Sequence, residues 1–282
     1  MIAVLSDIHG NIHALEAVLA DMPDVREIWM LGDIAGGGPF PCECLDRLLN
    51  LSIPVHAILG NWEVELLDGY RNLHSGWWKN KRYAPGAWAV DALKPHHWAY
   101  LEGLSTTLSI DSIPGGALLY HGSPDKPDGT VLTQEAAAHA AAKHKEKWLL
   151  GGHVHRVRLF RVGQQRVAAV GSVGLSLDKI GGVACYALLD GDKIVFRHVM
   201  YDLNAAIAAF KQSGYPEAVP YFSKAMAGIM VTGIGYFGVL DNFVYEYVER
   251  QLGHSPEKIS DEMWLEAAPL WKVEDWLEEI IG

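Results

Sequence analysis

The sequence predicts a layered α/β fold with a helical insertion and an α-helical C-terminal appendage, on three observations. From Met1 to Leu59, short apolar runs alternate with segments of helical periodicity, joined by short connections. The apolar runs end repeatedly in glycine beside aspartate, asparagine or histidine. Beyond Tyr201 the periodicity is helical to the end.

The first strand runs from Met1 into Asp7-Ile8-His9-Gly10, and strand alternation would point Asp7 and His9 the same way at its carboxyl end. Ile12–Leu19 places Ile12, Leu15, Val18 and Leu19 on one helical face, and Met22-Pro23 stops it. Ile28–Leu31 is the second strand, ending at Gly32-Asp33. A helix over Cys44–Leu51 follows. Val55–Leu59 is the third strand, ending at Gly60-Asn61-Trp62-Glu63. In such sheets ligands bind beyond the carboxyl ends of the strands, where Asp7, His9, Asp33 and Asn61 fall.

From about 64 to 104 the chain is rich in aromatics, histidines and basic residues, the mark of a helical insertion beside that edge. Ala117–Tyr120 resumes the strands and ends at His121-Gly122. An alanine-rich helix over Gln134–Lys147 leads to a strand ending at Gly151-Gly152-His153-Val154-His155. Val157–Arg161, Arg166–Val170, Ala184–Leu189 and Lys193–Val199 are expected as a run of antiparallel strands, with a turn at Gly191-Asp192. Residues 1–200 thus form the α/β unit, and 201–282 the helical appendage, with a boundary near Tyr201.

Composition narrows the function. Half the residues are hydrophobic and a fifth charged, as in ordinary soluble domains. The net charge of −11 argues against wrapping a long nucleic acid. Cys42, Cys44 and Cys185 fit a reducing, cytoplasmic setting better than a disulfide framework. The first strand begins at Met1 without a charged leader, so no signal peptide is expected. The longest apolar stretch, Ala225–Leu240, is too short to span a membrane. Its glycines suggest close helix packing or a homodimer contact through the C-terminal helices.

Taken in order, the strand ends supply Asp7, His9, Asp33, Asn61, His121, His153 and His155. Hard oxygens combined with imidazoles suit Mn, Fe, Zn or Co rather than a thiolate site. Seven such groups are too many for one four-coordinate ion and fit two ions sharing a carboxylate.

This ordered series, D-x-H, G-D, G-N, H and G-H-x-H, resembles the calcineurin-like metallophosphoesterase family, in its small prokaryotic phosphodiesterase branch. Leu59–Glu63 and the helical tail resemble bacterial members described as phosphodiesterases and asymmetric diadenosine-tetraphosphate hydrolases. The resemblance implies an α/β/β/α sandwich and two metal ions, most naturally Mn or Fe, with Zn, Co or Ni as other choices. One ion would be held by Asp7, His9, Asp33 and His155, the other by Asp33, Asn61, His121 and His153. Asp33 would bridge them, and a metal-bridging hydroxide would attack phosphorus, which makes Asp33 and His121 the catalytic candidates.

Two departures from the family pattern bear on substrate. Trp62 and Glu63 stand where the family has an acid histidine and its aspartate, and an indole supplies no proton. Substrates with acidic leaving groups are therefore expected, such as dinucleoside polyphosphates or aryl phosphodiesters. His74, His96 or His97 from the insertion would be the replacement acid if one exists, though each reads first as an ordinary surface or helix-packing histidine. Trp62 either stacks on a base or walls the pocket. The second departure is Ala169–Gly174, where the family commonly has Asn-Pro before Gly-Ser; it reads as a loop facing the site or as a plain turn. Lys79, Lys81 and Arg82 lie among aromatics and are either phosphate contacts, with Trp62 and Glu63, or a solvated basic face. Competing functions are a phosphomonoesterase or protein phosphatase, which the missing acid disfavours, and a catalytically silent scaffold, which the complete ligand set disfavours.

Overall fold

The computed structural model describes residues 1–73, 80–253, 255, 259–274, 277, 279 and 280. In chain order the strands are β1 (Ile2–Leu5), β2 (Ile28–Met30), β3 (Val55–Ala57), β4 (Thr107–Ile110) and β5 (Ala117–Tyr120), then β6 (Trp148–Gly151), β7 (Val157–Val162), β8 (Gln165–Val170), β9 (Val183–Asp190) and β10 (Lys193–Met200). The helices before residue 200 are α1 (Ile12–Asp21), α2 (Pro41–Leu49), α3 (Asn61–Arg71), α4 (Ala84–Ala92), α5 (Pro95–Glu102) and α6 (Gln134–Ala142). After it come α7 (Leu203–Gln212), α8 (Tyr215–Ala218), α9 (Pro220–Thr232), α10 (Tyr236–Gln251) and α11 (Asp261–Ala267).

Two five-stranded sheets result, β10-β9-β1-β2-β3 and β4-β5-β6-β8-β7. Strand alternation explains how they stack. Ile2, Val4, Trp29 and Leu31 point from the first sheet into an apolar layer shared with Leu119, Trp148, Leu150 and Val170 of the second. Their neighbours Ala3, Leu5, Ile28 and Met30 point the other way, onto Leu15 and Val18 of α1 and Leu45 and Leu48 of α2. On the far side, Leu118, Tyr120, Leu149 and Val167 meet the small alanines of α6. The four layers are α/β/β/α, as expected.

Three details differ from the sequence reading. β4 went unrecognised, because Thr107–Ile110 is a half-exposed edge strand with no long apolar run. α6 stops at Ala142, since the carbonyls of His144 and Glu146 accept from the Gln165 side chain instead of continuing the helix. The later strands are not one antiparallel run: β6 pairs β8 in parallel, and β9–β10 cross to the first sheet beside β1.

The helical insertion is present in α4 and α5. Its core joins that of the C-terminal helices, with Trp98, Phe210, Met226 and Leu240 in the same cluster as Leu5 and Ile8. The change to all-helical structure near Tyr201 therefore occurs with no break in packing. Ala225–Leu240 is divided at Gly233, whose φ of 67° ends α9. The halves close against each other where Gly228 leaves room for the Tyr236 ring. Among the described residues no helix is long and apolar enough to cross a membrane.

Candidate metal centre

The chemistry-bearing residues gather at the carboxyl ends of both sheets. Asp7 and His9 follow β1, Asp33 follows β2, and Asn61 opens α3 after β3. His121 follows β5 directly, and His153 and His155 follow β6. Strand alternation is not what aligns them, as the sequence reading supposed. β1 has ended at Leu5, and Asp7, His9, Asp33, His153 and His155 all have left-handed backbone, with φ between 49° and 66°. Among the described residues the only other non-glycine in that region is Lys179. Such conformations cost roughly 1–3 kcal/mol each and persist only where the surroundings dictate them.

The surroundings do so here through cross-loop hydrogen bonds. Asp7 N–H donates to Gly32 O at 3.0 Å and His9 N–H to Asp33 O at 2.9 Å. The loop in Ala169–Gly174 lies beneath Asp7: Gly174 N–H and the Ser172 hydroxyl both donate to its carbonyl, at 2.9 and 2.8 Å. That loop supports the backbone of a candidate ligand.

Two donor sets face each other, Asp7 with His9 and His155, and Asp33 with His121 and His153. His9, His121 and His155 each give Nδ1–H to a backbone carbonyl, of Gly36 at 2.8 Å, Leu31 at 2.6 Å and Leu175 at 2.7 Å. This makes Nδ1 the protonated nitrogen of each neutral ring and aims Nε2 inward, where it becomes a ligand atom once any second proton is displaced. The Nε2 atoms of His9 and His155 are 3.0 Å apart, close enough that a proton or a metal cation must lie between them. Nε2 of His155 is 3.3 Å from Asp7 Oδ1, and Nε2 of His121 is 3.1 Å from Asp33 Oδ2. Bonds of about 2.1 Å give ligand–ligand edges of about 3.0 Å in an octahedron and 3.4 Å in a tetrahedron.

Two further atoms favour the same reading. Oδ1 of Asn61 and Nε2 of His121 are buried without a hydrogen-bond partner. Unpartnered buried polar atoms are costly, and a bound cation would satisfy both. The donor set fits transition-metal ions of the kind the resemblance implies. Both carboxylates lie near imidazoles of the two sets. Asp33 Oδ2 is 3.7 Å from His9 Nε2, and Asp7 Oδ1 is 3.7 Å from His121 Nε2.

Charge coupling within the cluster is strong. Burial opposes ionisation of Asp7, but the imidazoles of His155 and His121 outweigh it and hold the carboxyl well below its usual range. Burial likewise disfavours charge on His121, yet Asp33 and Asp7 push its pKa up to about 10. In the metal-free protein that proton stabilises the fold. The contribution is complete below the unfolded value of 6.5 and is lost as pH rises through about 10. Metal must displace this proton, so Mn²⁺ titration near about pH 7 should release protons, and apparent affinity should rise toward about pH 9. A pH-independent affinity in isothermal titration would contradict this.

The expected substrate contacts divide. Trp62 is half-buried, its backbone N–H donates to Asp33 Oδ1 at 3.0 Å, and its ring lies against Gly36 and Gly37 as a wall of the site. Glu63 is not a substrate contact: it is fully buried, and its carboxylate accepts from the amides of Asp33 (2.7 Å), Ile34 (2.7 Å), Ala35 (3.1 Å) and Gly60 (2.9 Å). Arg82 is turned to the C-terminal helices, donating to Asp261 at 2.8 Å, and Lys81 is exposed on the same turn. Lys79 and His74 lie outside the described residues. His96 and His97 do not reach the centre as replacement acids, since both Nε2 atoms are engaged by Asp46 Oδ1, at 3.0 and 2.9 Å.

His9 is held by a loop whose role had no clear signal in the sequence. The glycine loop at Gly36–Gly38 passes under its ring, and a side chain at Gly37 (φ 93°) would come within 3.2 Å of His9 Nδ1. Tyr215 of α8 donates to Gly37 O at 3.0 Å, and Trp88 of α4 donates to Pro39 O at 3.1 Å. Only the run of three glycines before Pro39 signalled this in the sequence.

The sequence profile of the calcineurin-like phosphoesterase superfamily domain matches residues 1–193. The chain belongs to this superfamily. It is 33% identical over 132 residues to an uncharacterised protein of Methanocaldococcus jannaschii, across 45% of this chain and 51% of that one. It is 32% identical over 73 residues to the symmetrical bis(5'-nucleosyl)-tetraphosphatase of Erwinia tasmaniensis, across 25% of this chain and 27% of the relative. The chain therefore spans about half of the first curated relative's length and about a quarter of the second's. Among solved structures, a metallophosphoesterase from Sphaerobacter thermophilus superposes with a TM-score of 0.65 at 27% identity, over 80% of this chain and 99% of that one. A hypothetical protein from Pyrococcus horikoshii shares the fold, with a TM-score of 0.69 at 22% identity, over 83% and 99% of the two chains. This calcineurin-like chain thus carries its superfamily's fold and a candidate metal-ligand cluster at the sheet edge.

Proposed function

We propose that the chain is a two-metal phosphoesterase cleaving phosphoanhydride or phosphodiester bonds of nucleotide-like substrates, dinucleoside polyphosphates foremost. The observation that carries this reading is the pair of neighbouring donor sets, with carboxylate oxygens and imidazole Nε2 atoms converging in each. Asp7, His9, Asp33 and His155 would hold one ion, and Asp33, Asn61, His121 and His153 the other. When bound, such ions lower the pKa of coordinated water and neutralise charge on the phosphoryl oxygens. The backbone carbonyls of Gly36, Leu31 and Leu175 keep His9, His121 and His155 oriented for that task. The bis(5'-nucleosyl)-tetraphosphatase among the relatives supports a dinucleoside polyphosphate as substrate.

The chain's own residues shape the choice of bond. Trp62 offers no proton to a departing oxygen, and the histidines of α5 are held by Asp46. A leaving group must therefore depart as a stable anion, as phosphate or an aryl oxide does and an alkoxide does not. Supplied with Mn²⁺, the protein should hydrolyse an aryl phosphodiester or diadenosine tetraphosphate at least about 10²-fold more efficiently than an alkyl phosphomonoester. Trp62→His should raise the alkyl rate more than the aryl rate. Equal kcat/KM on the two classes would overturn the leaving-group argument. The products from diadenosine tetraphosphate, two ADP or ATP plus AMP, report where the chain is cut.

A further inference from the structure

A second cluster lies away from this centre, where β9 and β10 reach the end of the inter-sheet layer. Cys185 and His198 are paired across the two strands and share a face, at the same alternation as Ala187, Leu189 and Phe196, which face the second sheet. Asp178 approaches from the preceding loop. Its Oδ2 lies 3.4 Å from Cys185 Sγ, 3.1 Å from His198 Nε2 and 3.4 Å from Ser176 Oγ. Ser176 Oγ is also 3.3 Å from Cys185 Sγ. Three donors converge on one carboxylate oxygen, more than its two lone pairs accommodate. Cys185 is buried, while His198 is nearly half exposed, so the cluster is open on one side.

We infer that Asp178, Cys185 and His198 form a third metal site, selective for a thiophilic divalent ion such as Zn²⁺, with Ser176 or water completing the shell. A tetrahedral ion with sulfur at about 2.3 Å and oxygen or nitrogen at about 2.1 Å has edges of about 3.4–3.6 Å. The two separations to Asp178 Oδ2 are slightly inside that range and all three ligand atoms lie within 4.8 Å of one another, so side-chain adjustment accommodates the ion. Binding would turn an oversubscribed oxygen into a ligand and release the thiol proton to solvent. The other candidate cluster, Asp46 with His96 and His97, is different. His97 Nδ1 accepts from the Lys94 amide at 3.2 Å, so its Nε2 carries hydrogen and has no lone pair to give.

The position gives such a site a consequence. Ser176 and Asp178 belong to the loop in which Leu175 O accepts from His155 Nδ1 and Leu177 N–H donates to His155 O at 3.0 Å. An ion at Asp178 would pin the segment that orients a ligand of the first centre.

Cobalt substitution separates the two sites, because the phosphoesterase centre contains no sulfur. The chelator-stripped full chain, titrated with Co²⁺ to saturation, should develop a sulfur-to-cobalt charge-transfer band in the near ultraviolet whose intensity corresponds to one sulfur-ligated ion per chain. The band should vanish in Cys185→Ser, weaken at least about tenfold in apparent affinity in the exposed His198→Ala, and persist in Cys42→Ser. Absence of the band at saturating Co²⁺, or its survival in both Cys185→Ser and His198→Ala, overturns the proposal whatever the outcome at the first centre.

Discussion

Glu63→Ala is expected to destabilise the protein by roughly 3–5 kcal/mol, the largest loss among the substitutions considered. The side chain is fully buried at the start of α3, and both carboxylate oxygens accept two backbone N–H groups. Alanine strips the acceptor from all four, and a buried donor left without a partner costs about 1–3 kcal/mol. Relaxation and water entry keep the total below the simple sum. For a chain of this size that loss lowers Tm by on the order of 10 °C. Three of the four amides belong to Asp33, Ile34 and Ala35, the turn that holds Asp33 at a φ of 56°. Activity should therefore fall along with stability. Glu63→Gln should be intermediate, because its amide nitrogen faces donors where the carboxylate oxygen faced them. A Tm for Glu63→Ala within about 1 °C of the parent would mean that the carboxylate does not organise this turn.

Asp33→Asn should act chiefly on function, with the fold retained although the stabilisation from protonated His121 is reduced. The amide oxygen of asparagine can still accept from Trp62 N–H, as Asp33 Oδ1 does at 3.0 Å. What disappears is the negative charge 3.1 Å from His121 Nε2 and 3.7 Å from His9 Nε2. If that carboxylate is shared by two ions, losing the charge weakens both sites. The expected result is kcat/KM reduced by roughly 10³-fold or more. Bound metal should fall below two equivalents, while the far-ultraviolet circular dichroism stays unchanged. Full metal occupancy with near-parent activity would remove Asp33 from the role assigned to it.

Glu63 also shows where sequence reading reaches its limit. Its place after Gly60-Asn61-Trp62 suggested a group at the substrate, because position in a motif indicates nearness to a site. Nearness does not say which way a side chain points, and one helical turn carries this carboxylate under Asp33 instead of over it. The seven candidate ligands were legible because each ends a strand, and strand ends of a layered α/β fold converge. The backbone conformation that aligns Asp7 with His9 was not legible, since left-handed aspartate and histidine leave no compositional mark. β4 was lost because an edge strand needs no apolar run. The hold of Tyr215 on the glycine loop was lost because a contact across 178 positions has no local signature.

Two ions at the edge of the sheets are tested most directly by anomalous diffraction from crystals soaked in Mn²⁺. Two peaks are expected, one within ligand distance of Asp7, His9 and His155 and the other of Asn61, His121 and His153, with Asp33 contacting both. A single peak, or manganese bound only outside these seven side chains, would contradict it.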